Sequence, residues 1–305
     1  MSAHDITRLM IQSALHKSLQ DIAEGDHRAI RRLVDLGEHF SGSGLRQRFL
    51  NQAQTLLLDE ESAYYTLIHR LVQHTDREQL TQMGLCFGYE CLVCGVAKLR
   101  EEWAKGNPIS WQQDLRFQKG TGLSPEDMEA IIAKGEPHGV RCYSLFISQG
   151  VPTQEILDRT QAHPYSFFLL FAGKHPELYL EETVGRENVL PLLPLSEASL
   201  LKELANSRHL FGAYAVYHEE NRKQILDNSL LELALDRQTP FLFLLPDAGC
   251  DALTERRVWD HIRKQRMQQQ WPLFPLEYTT DMAYIDRVVV PWERHQSIRS
   301  QSFLL

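Results

Sequence analysis

The sequence predicts an α/β protein in which a helical N-terminal region precedes a partial or full TIM-like (βα) barrel. Up to about residue 104, apolar residues recur at three- and four-residue intervals, which is typical of amphipathic helices. From about residue 105, short apolar runs alternate with amphipathic segments, which is typical of βα units around a parallel sheet. We therefore expect a helical region over 1–104, a barrel over 105–295 and a tail over 296–305.

The N-terminal region should consist of consecutive helices with short breaks. Gly42 and Gly44 separate the second and third helices, and the segment GNPIS (106–110) follows the last one. The apolar periodicity places these helices at 6–23, 27–40, 44–58, 63–75 and 77–103.

The barrel region should alternate strands with helices. Several of its predicted helices begin with a serine or threonine cap or an early proline, as at Ser124 and Pro125. Six strands are predicted at 109–117, 140–148, 165–172, 189–196, 210–218 and 239–246, and weaker ones at 272–279 and 287–292. A doubly wound open sheet is the alternative, because periodicity alone does not separate it from a barrel.

Composition excludes several classes of protein. The 305 residues carry a formal net charge of −8 without a long basic run, so nucleic acid is not an expected partner. We find no secretory signal pattern and no run of about 18 uninterrupted apolar residues, so neither export nor membrane insertion is expected. An odd count of five cysteines argues against a disulfide scaffold, and a cytoplasmic location is the expectation.

The order of elements resembles that of radical S-adenosylmethionine (radical SAM) proteins, over roughly residues 25 to 270. The resemblance is carried by the helical preamble, the helix around FGYECLVCGVAKLREEW, the segment LSPEDMEAIIAKGEPHGV (123–140) and the strand in ENVLPLLPLSE (187–197). It implies a barrel in which a C-x3-C-x2-C loop after the first strand binds a [4Fe–4S] cluster, and in which S-adenosylmethionine binds that cluster.

The chain departs from that family at both parts of this catalytic apparatus. The segment DLRFQKGTGLS (114–124) holds no cysteine where the family has its cysteine loop, and glutamine, lysine or threonine cannot replace thiolates on iron. The family's Gly-Gly-Glu-Pro motif corresponds here to Ser148-Gln149-Gly150-Val151-Pro152, without the glutamate that helps to bind the methionine moiety. The vestigial ligand positions at the ends of the strands are then Ser148, Gln149, Gly150, Ser196 and His218.

Three cysteines, Cys86, Cys91 and Cys94, offer an alternative metal site with the spacing C-x4-C-x2-C. That spacing is part of a plant-type ferredoxin pattern, which needs a fourth, distant cysteine such as Cys142 or Cys250. On a regular α-helix of about 100° per residue, Cys91 and Cys94 are neighbours while Cys86 lies roughly 140° from Cys91. Since a free cysteine is usually a small buried apolar residue, packing is the favoured interpretation.

Other residues at the ends of the strands have both a functional and a structural interpretation. His218 with Glu219 could act as a general base or a metal-ligating pair, but acidic residues at the start of a helix are also ordinary. Lys119 with Gly120 and Gly122 could cradle a phosphate, although the full phosphate-loop pattern is missing and a tight turn is favoured.

The expected function is therefore that of a catalytically degenerate radical-SAM-like barrel, without a cofactor, that binds a small molecule, a peptide or a protein partner. One alternative is a radical SAM enzyme with S-adenosylmethionine and an unconventional iron–sulfur site at Cys86, Cys91 and Cys94. The other is a barrel repurposed for metal-free catalysis, with His218 and Glu219 in the site.

Overall fold

The computed structural model describes residues 3–40, 54–55, 57–148, 150–151, 153–173, 183 and 186–289. Helices form the first third of this part of the chain, as expected. They are α1 (Ala3–Ala23), α2 (His27–Phe40) and α3 (Ala63–His74), followed by a continuous helical stretch over Arg77–Ala104 that we call the central helix. The helix predicted at 44–58 and the tail at 296–305 lie largely or wholly outside the described residues.

The central helix is not an ordinary α-helix throughout. It begins as α4 (Arg77–Met83), which is capped by the Asp76 carboxylate, and it ends as α5 (Val96–Ala104). Between them lies a π-helical segment, Gly84–Gly95, that contains the three clustered cysteines. π-Helices are rare, are mostly confined to one turn, and often occur at functional sites.

Seven parallel strands form one curled sheet, a half-barrel, in the sequential order β1 to β7. The strands are β1 (Gln112–Phe117), β2 (Cys142–Ile147), β3 (Phe167–Ala172), β4 (Val189–Pro194), β5 (Gly212–Tyr217), β6 (Phe241–Pro246) and β7 (Phe274–Glu277). The sequential order excludes a doubly wound sheet, in which the strand order reverses. The prediction of βα units is confirmed, and within the described residues β1 is not paired with β7, so the sheet stays open.

Crossing helices cover the convex face of the sheet. They are α6 (Pro125–Gly135), α7 (Thr153–Gln161), α8 (Ala198–Asn206), α9 (Lys223–Leu226), α10 (Ser229–Asp236) and α11 (Ala252–Gln268), and α12 (Tyr278–Val289) follows the last strand. Capping residues in the sequence determine where several of these helices begin. Ser124 and Asp127 form a capping box at α6, and the Asp251 side chain accepts from the Thr254 N–H at the start of α11.

The central helix lies at the amino ends of the strands. The thiol of Cys91 donates to the carbonyl of Arg141, which precedes β2, and the thiol of Cys86 donates to the carbonyl of Pro164, which precedes β3. Apolar residues of this helix and of β1 to β4 belong to one buried cluster. The helix therefore covers the amino ends of these strands, whereas βα folds bind ligands at the carboxyl ends.

One predicted element is wrong. The weak strand predicted at 287–292 is helical as far as the structure describes it, because α12 continues to Val289. The β-branched residues Val288 and Val289 favour a strand locally, but Val288 is buried when the segment is a helix. Tertiary packing has overridden local propensity here.

Candidate functional site

Alternate residues of each strand face the concave side of the half-barrel. The register aligns Asp114 with Ser144, and Phe146 with Phe171, so these residues share one face. Neighbouring residues of opposite parity, such as Leu193, Leu242 and Leu244, pack with the covering helices on the convex side. The concave face is therefore the one that the crossing helices leave uncovered.

An aromatic cluster forms the floor of the concave face. The rings of Phe146 and Phe171 stack with centroids 4.5 Å apart, and Tyr278 approaches Phe171 edge-on at 5.3 Å. Tyr214 and Phe243 contact the other side of Phe171 at 5.6 and 6.0 Å. Phe146 and Tyr214 keep part of their surface accessible, so they can offer ring faces or edges to a planar ligand.

A polar network crosses this floor at β1. The Gln112 amide donates to Asp114 Oδ1 at 2.8 Å, to Ser144 Oγ at 2.9 Å and to the Tyr278 hydroxyl at 3.1 Å. The Tyr278 hydroxyl in turn donates to Asp114 Oδ1. Burial, and then the adjacent Asp114 carboxylate, raise the pKa of Tyr278 well above its ordinary value, so the phenol keeps its proton. The network therefore fixes Asp114 as an acceptor at the mouth of the face.

Arg116 supplies a positive charge beside this carboxylate. Its guanidinium carbon lies 4.3 Å from the centroid of the Phe146 ring, and its Nη2 lies 3.4 Å from Asp114 Oδ2. The side chain is 62 % exposed, so these contacts hold it only weakly. A guanidinium that stacks on an aromatic ring and remains open to solvent is suited to pairing with an anionic group.

The last helix spans the gap between the two edge strands. The Trp111 N–H donates to Asp286 Oδ1 at 2.8 Å, and the Trp111 indole N–H donates to the Met282 carbonyl at 3.2 Å. Both acceptors lie on α12, which follows β7, whereas Trp111 directly precedes β1. Burial raises the pKa of Asp286. Side-chain contacts between Trp111 and α12 therefore connect the two edges of the half-barrel, where strand pairing would do so in a closed barrel.

The turn after β1 is a tight connection. The Gly122 N–H donates to the Gln118 carbonyl at 2.9 Å, and the Leu123 N–H donates to the Arg116 carbonyl at 3.1 Å. A Cβ atom on Gly122 would lie 2.1 Å from the Gln118 nitrogen, so the turn requires glycine there. The seven residues 118–124 offer no thiolate, and their amides are used to close the turn.

The vestigial positions lie at the carboxyl ends of the strands, as predicted, but no hydrogen bond joins those that the structure describes. Ser148 is exposed and donates its N–H to the Phe117 carbonyl, Gly150 has a φ of +82°, and Ser196 is exposed. The half-buried His218 donates its N–H to Asn221 Oδ1 at 2.8 Å. Gln149 lies outside the described residues.

His218 and Glu219 make contacts that organise their own loops. The Glu220 N–H lies 3.3 Å from His218 Nδ1, and the Asp251 N–H donates to Glu219 Oε1 at 3.3 Å. Cys250 is half-buried in the neighbouring loop, and burial raises its thiol pKa. These contacts stabilise the two loops, and each side chain uses a different backbone N–H.

The π-helical segment corrects the predicted geometry of the three cysteines. A π-helix bonds residue i to residue i+5, so positions five apart share a face. Cys86 and Cys91 therefore lie together against the strands, both nearly fully buried, while Cys94 is half-buried on another side. The prediction that Cys91 and Cys94 are neighbours and Cys86 is turned aside is wrong, because it assumed about 100° per residue.

The three thiols are not gathered around the position of a single metal ion. Among the described residues, their sulfur atoms form no set in which all lie within 4.8 Å of one another. Burial raises the pKa of Cys86 to about 11 and that of Cys91 far above its ordinary value, and both thiols donate to backbone carbonyls. Cluster ligands must be thiolates. In this structure the two buried cysteines pack and form hydrogen bonds at the amino ends of the strands.

By length and composition alone, the central helix is long and apolar enough to cross a membrane. Its most apolar window has a mean hydropathy of 1.3, and 44 % of that window is buried inside the protein. The core helix of a soluble protein meets the same criteria. The fully buried, ion-paired Glu90 in this helix is more typical of such a core helix. The predictions of no membrane partner and of a cytoplasmic location stay predictions.

The sequence analysis missed Gln112, Asp114, Arg116, Ser144 and Tyr278. The alternation in QQDLRF, where polar residues take every second position beside Leu115 and Phe117, is a period-two signal of one uncovered face. It identifies the β1 residues of the network. Nothing local identifies Tyr278, which lies 164 residues from Asp114 along the chain.

Comparison with known proteins does not assign a function to this site. No family model matches the chain, and no curated protein sequence matches it. The resemblance to radical SAM proteins therefore rests on the order and pattern of the elements, and the chemistry of the site rests on the residues described above.

Proposed function

We propose that this chain is a catalytically degenerate radical-SAM-like protein that binds a small ligand on its concave face and performs no cluster chemistry of its own. The observation that carries the proposal is a contrast at the carboxyl ends of the strands. Asp114 and Arg116 of the concave face are exposed, and Phe146 and Tyr214 are partly exposed, whereas the turn over 118–124 has no thiolate and no spare length to wrap a cluster.

The chemistry of the concave face favours a planar small molecule with an anionic group. Tyr214 can contact a flat ring, the edge of Phe146 can add to that contact, and Arg116 can pair with the anion. Asp114 Oδ2 can accept an N–H or O–H from the same ligand, since Tyr278 and Gln112 donate to Oδ1 and Arg116 approaches Oδ2 only at 3.4 Å. A few convergent polar groups on an apolar floor are typical of small-molecule sites.

Anaerobic reconstitution with iron and sulfide tests the absence of cluster chemistry. We expect no stoichiometric four-iron cluster in the protein. A cluster that forms in the wild type and is lost in the Cys91→Ala/Cys94→Ala variant would overturn this part of the proposal and favour the unconventional radical SAM alternative. Iron and sulfide analysis, beside the absorption spectrum, separates a cluster from adventitious iron.

Binding of the planar aromatic anion anilinonaphthalene sulfonate tests the concave face. We expect the wild type to bind the fluorescent probe and Arg116→Gln to bind it several-fold more weakly. Arg256→Gln is the matched control, because Arg256 is also an exposed arginine over an aromatic ring, that of Trp259, but on a covering helix. Equal probe affinity in the two variants would contradict a binding site at Arg116.

A catalytic role for His218 and Glu219 has no specific support among these contacts. Each side chain accepts from a backbone N–H of its own or the neighbouring loop, His218 from Glu220 and Glu219 from Asp251. We keep the role of the half-barrel as binding.

A further inference from the structure

Three potential metal ligands from two helices lie close together on the side of the molecule where the central helix covers the amino ends of the strands. The nearest ligand atoms of His4, on α1, and of Glu90 and Cys94, on the central helix, all lie within 4.8 Å of one another. His4 Nε2 is 3.1 Å from Glu90 Oε1. Bond lengths of about 2.0–2.3 Å around a tetrahedral zinc ion separate its ligands by roughly 3.3–3.8 Å, so a small contraction completes the geometry.

Two of these ligands, Glu90 and Cys94, lie on the π-helical segment, four residues apart, a spacing that shares one side of the helix in π as in α geometry. Tyr89 shares that side, because its hydroxyl is bonded to the Cys94 sulfur. A twelve-residue π-helix is unusual, and such helices are often kept at functional sites.

The Glu90 carboxylate has one oxygen available for a metal. The side chain has no exposed surface, and Arg141 Nη1 donates to Oε2. Oε1 is buried and accepts no hydrogen bond of normal geometry, although it faces His4 and lies 3.4 Å from Arg8 Nε. A buried carboxylate oxygen in this situation, next to an imidazole and a thiol, is the second observation that points to a ligand.

The histidine also has the environment of a metal ligand. When Nε2 faces Glu90, the other ring nitrogen, Nδ1, lies 3.9 Å from Asp5 Oδ1. A carboxylate that accepts a hydrogen bond from the far nitrogen fixes the tautomer of a ligating imidazole, whereas at 3.9 Å the Asp5 oxygen acts on His4 only through its charge. His4 belongs to α1 and is therefore carried by a regular helix.

We propose that His4, Glu90 and Cys94 form a zinc-binding site that clamps α1 to the central helix. A mixed set of one sulfur, one nitrogen and one oxygen ligand suits zinc better than magnesium or calcium, and a water molecule can complete a tetrahedron. On binding, the Cys94 thiol gives its proton to solvent and the sulfur forms the metal bond. The inference is independent of the ligand on the concave face, which lies at the other end of the strands.

Arg8 is the cation with which zinc must compete. Its guanidinium lies beside Glu90 Oε1, and it also contacts Gln82 Oε1 at 3.4 Å and the ring of Tyr165 at 5.4 Å. The side chain is 19 % exposed and can move toward those other contacts. Arg141 donates to the other oxygen of Glu90, Oε2, and does not need to move when zinc binds. Removing the Arg8 charge should therefore tighten zinc binding, an effect that a purely structural ion pair does not predict.

Titration of zinc alone into reduced, untagged protein tests the site, with a chromogenic chelator as competitor. We expect one zinc ion per chain, loss of that binding in Cys94→Ser and in His4→Ala, and binding several-fold tighter in Arg8→Gln. Cys250→Ser is the matched control, because it removes a half-buried loop thiol at the opposite end of the strands and should leave zinc affinity unchanged.

Cobalt gives a readout of the ligands themselves. A thiolate-to-cobalt charge-transfer band should appear with the wild type and Cys250→Ser and be absent with Cys94→Ser. His4 is partly exposed near the start of α1, so His4→Ala leaves folding intact and keeps the test decisive. No zinc bound by the reduced wild type, or equal affinity in wild type, Cys94→Ser and His4→Ala, would overturn the proposal.

Discussion

Glu90 is a fully buried carboxylate between two guanidiniums, and this charge arrangement makes it the most sensitive single residue of the central helix. Arg141 and Arg8, which flank it, are only 11 % and 19 % exposed. Taking two charges out of water is costly, and removing one member of such a group leaves the others without compensation. The stability of the helix is therefore tied to the ionised state of one side chain.

We predict that Glu90→Gln lowers the free energy of unfolding by about 3 kcal/mol, the lower end for a broken buried ion pair because both arginines reach some solvent. Urea unfolding in the presence of a metal chelator measures this effect apart from any zinc. Arg256→Gln, which removes an exposed pair with Asp260, should change stability by no more than about 0.5 kcal/mol. Equal effects of the two substitutions would contradict the buried-pair argument.

His163 makes stability depend on pH. Its Nδ1 lies 3.1 Å from Glu136 Oε1 and its Nε2 lies 3.3 Å from Glu129 Oε1. The hydrogen bond with Glu136, followed by the charges of both carboxylates, raises the pKa of His163 above 6.5 in the folded state against the opposing effect of burial. A raised folded pKa means that the imidazolium stabilises the fold below the unfolded pKa, and that this contribution disappears as the pH rises through the folded pKa.

We therefore expect the wild type to lose stability relative to His163→Asn as the pH rises from 6 to above the folded pKa of the imidazole. Urea unfolding of both proteins at several pH values gives the difference directly, and common contributions of other groups cancel. A difference that stays constant with pH, or grows as the pH rises, would contradict the assigned ion pairs.

At the scale of elements, the sequence predicted the positions of the strands well, but it did not predict the π-helical geometry of the segment Gly84–Gly95. Apolar runs and alternating patterns placed β1 to β6 within about three residues of their observed bounds, because strands buried on one or both faces leave these patterns in the sequence. The π-helical segment Gly84–Gly95 has no local signal, since its apolar residues fit an α-helical pattern equally well. Its wider turn is stabilised by contacts with the strands and with α1, which only the folded chain supplies.

Two glycines of the π-helical segment should respond oppositely to the same substitution. A Cβ atom on Gly95 would lie 2.6 Å from the Gly139 carbonyl oxygen, where the central helix meets the connection before β2. A Cβ atom on Gly88 would meet nothing within 4 Å. Gly95→Ala must push backbone apart, whereas Gly88→Ala only reduces the freedom of the unfolded chain.

We predict that Gly95→Ala destabilises the protein by about 1–3 kcal/mol, as overpacking does, and that Gly88→Ala is neutral or stabilising by up to about 1 kcal/mol. Chemical unfolding of the two variants side by side provides the measurement, and each variant controls for the helix propensity of the other. Destabilisation of similar size in both would mean that the close approach to Gly139 does not set the position of the helix.

At the scale of the whole molecule, topology assembles the concave site from distant parts of the chain. Asp114 and Arg116 belong to the first strand, and Tyr278 follows the last, so their contact exists only once seven strands have paired in order. Sequence reasoning expected a site at the carboxyl ends of the strands, which stays a prediction, whereas the polar network of the concave face begins at Gln112, the first residue of β1. Sequence reasoning could not say which of the polar residues on this face contact one another.

The boundary predicted at residue 104 separates helices from strands, yet the core crosses it. The buried cluster that includes Val96 and Leu99 of the central helix also includes Leu115, Phe167 and Leu169 of the sheet. Further contacts join the two parts elsewhere, as where the Ala63 N–H donates to the Gln269 carbonyl at 2.9 Å. A shared core of this kind couples the unfolding of the two parts.

We therefore predict that the full chain unfolds in one cooperative transition and that a fragment of residues 105–305 does not fold alone. Without the central helix, the amino ends of the strands would expose Phe167 and its neighbours to water, and such a patch favours aggregation. Far-ultraviolet circular dichroism, which reports chiefly the helices, and tryptophan fluorescence, in which Trp111, Trp259 and Trp271 report the half-barrel, should give coincident urea transitions. Two separated transitions, or a soluble fragment with its own cooperative transition, would show that the half-barrel is an independent domain and that the central helix is an accessory to it.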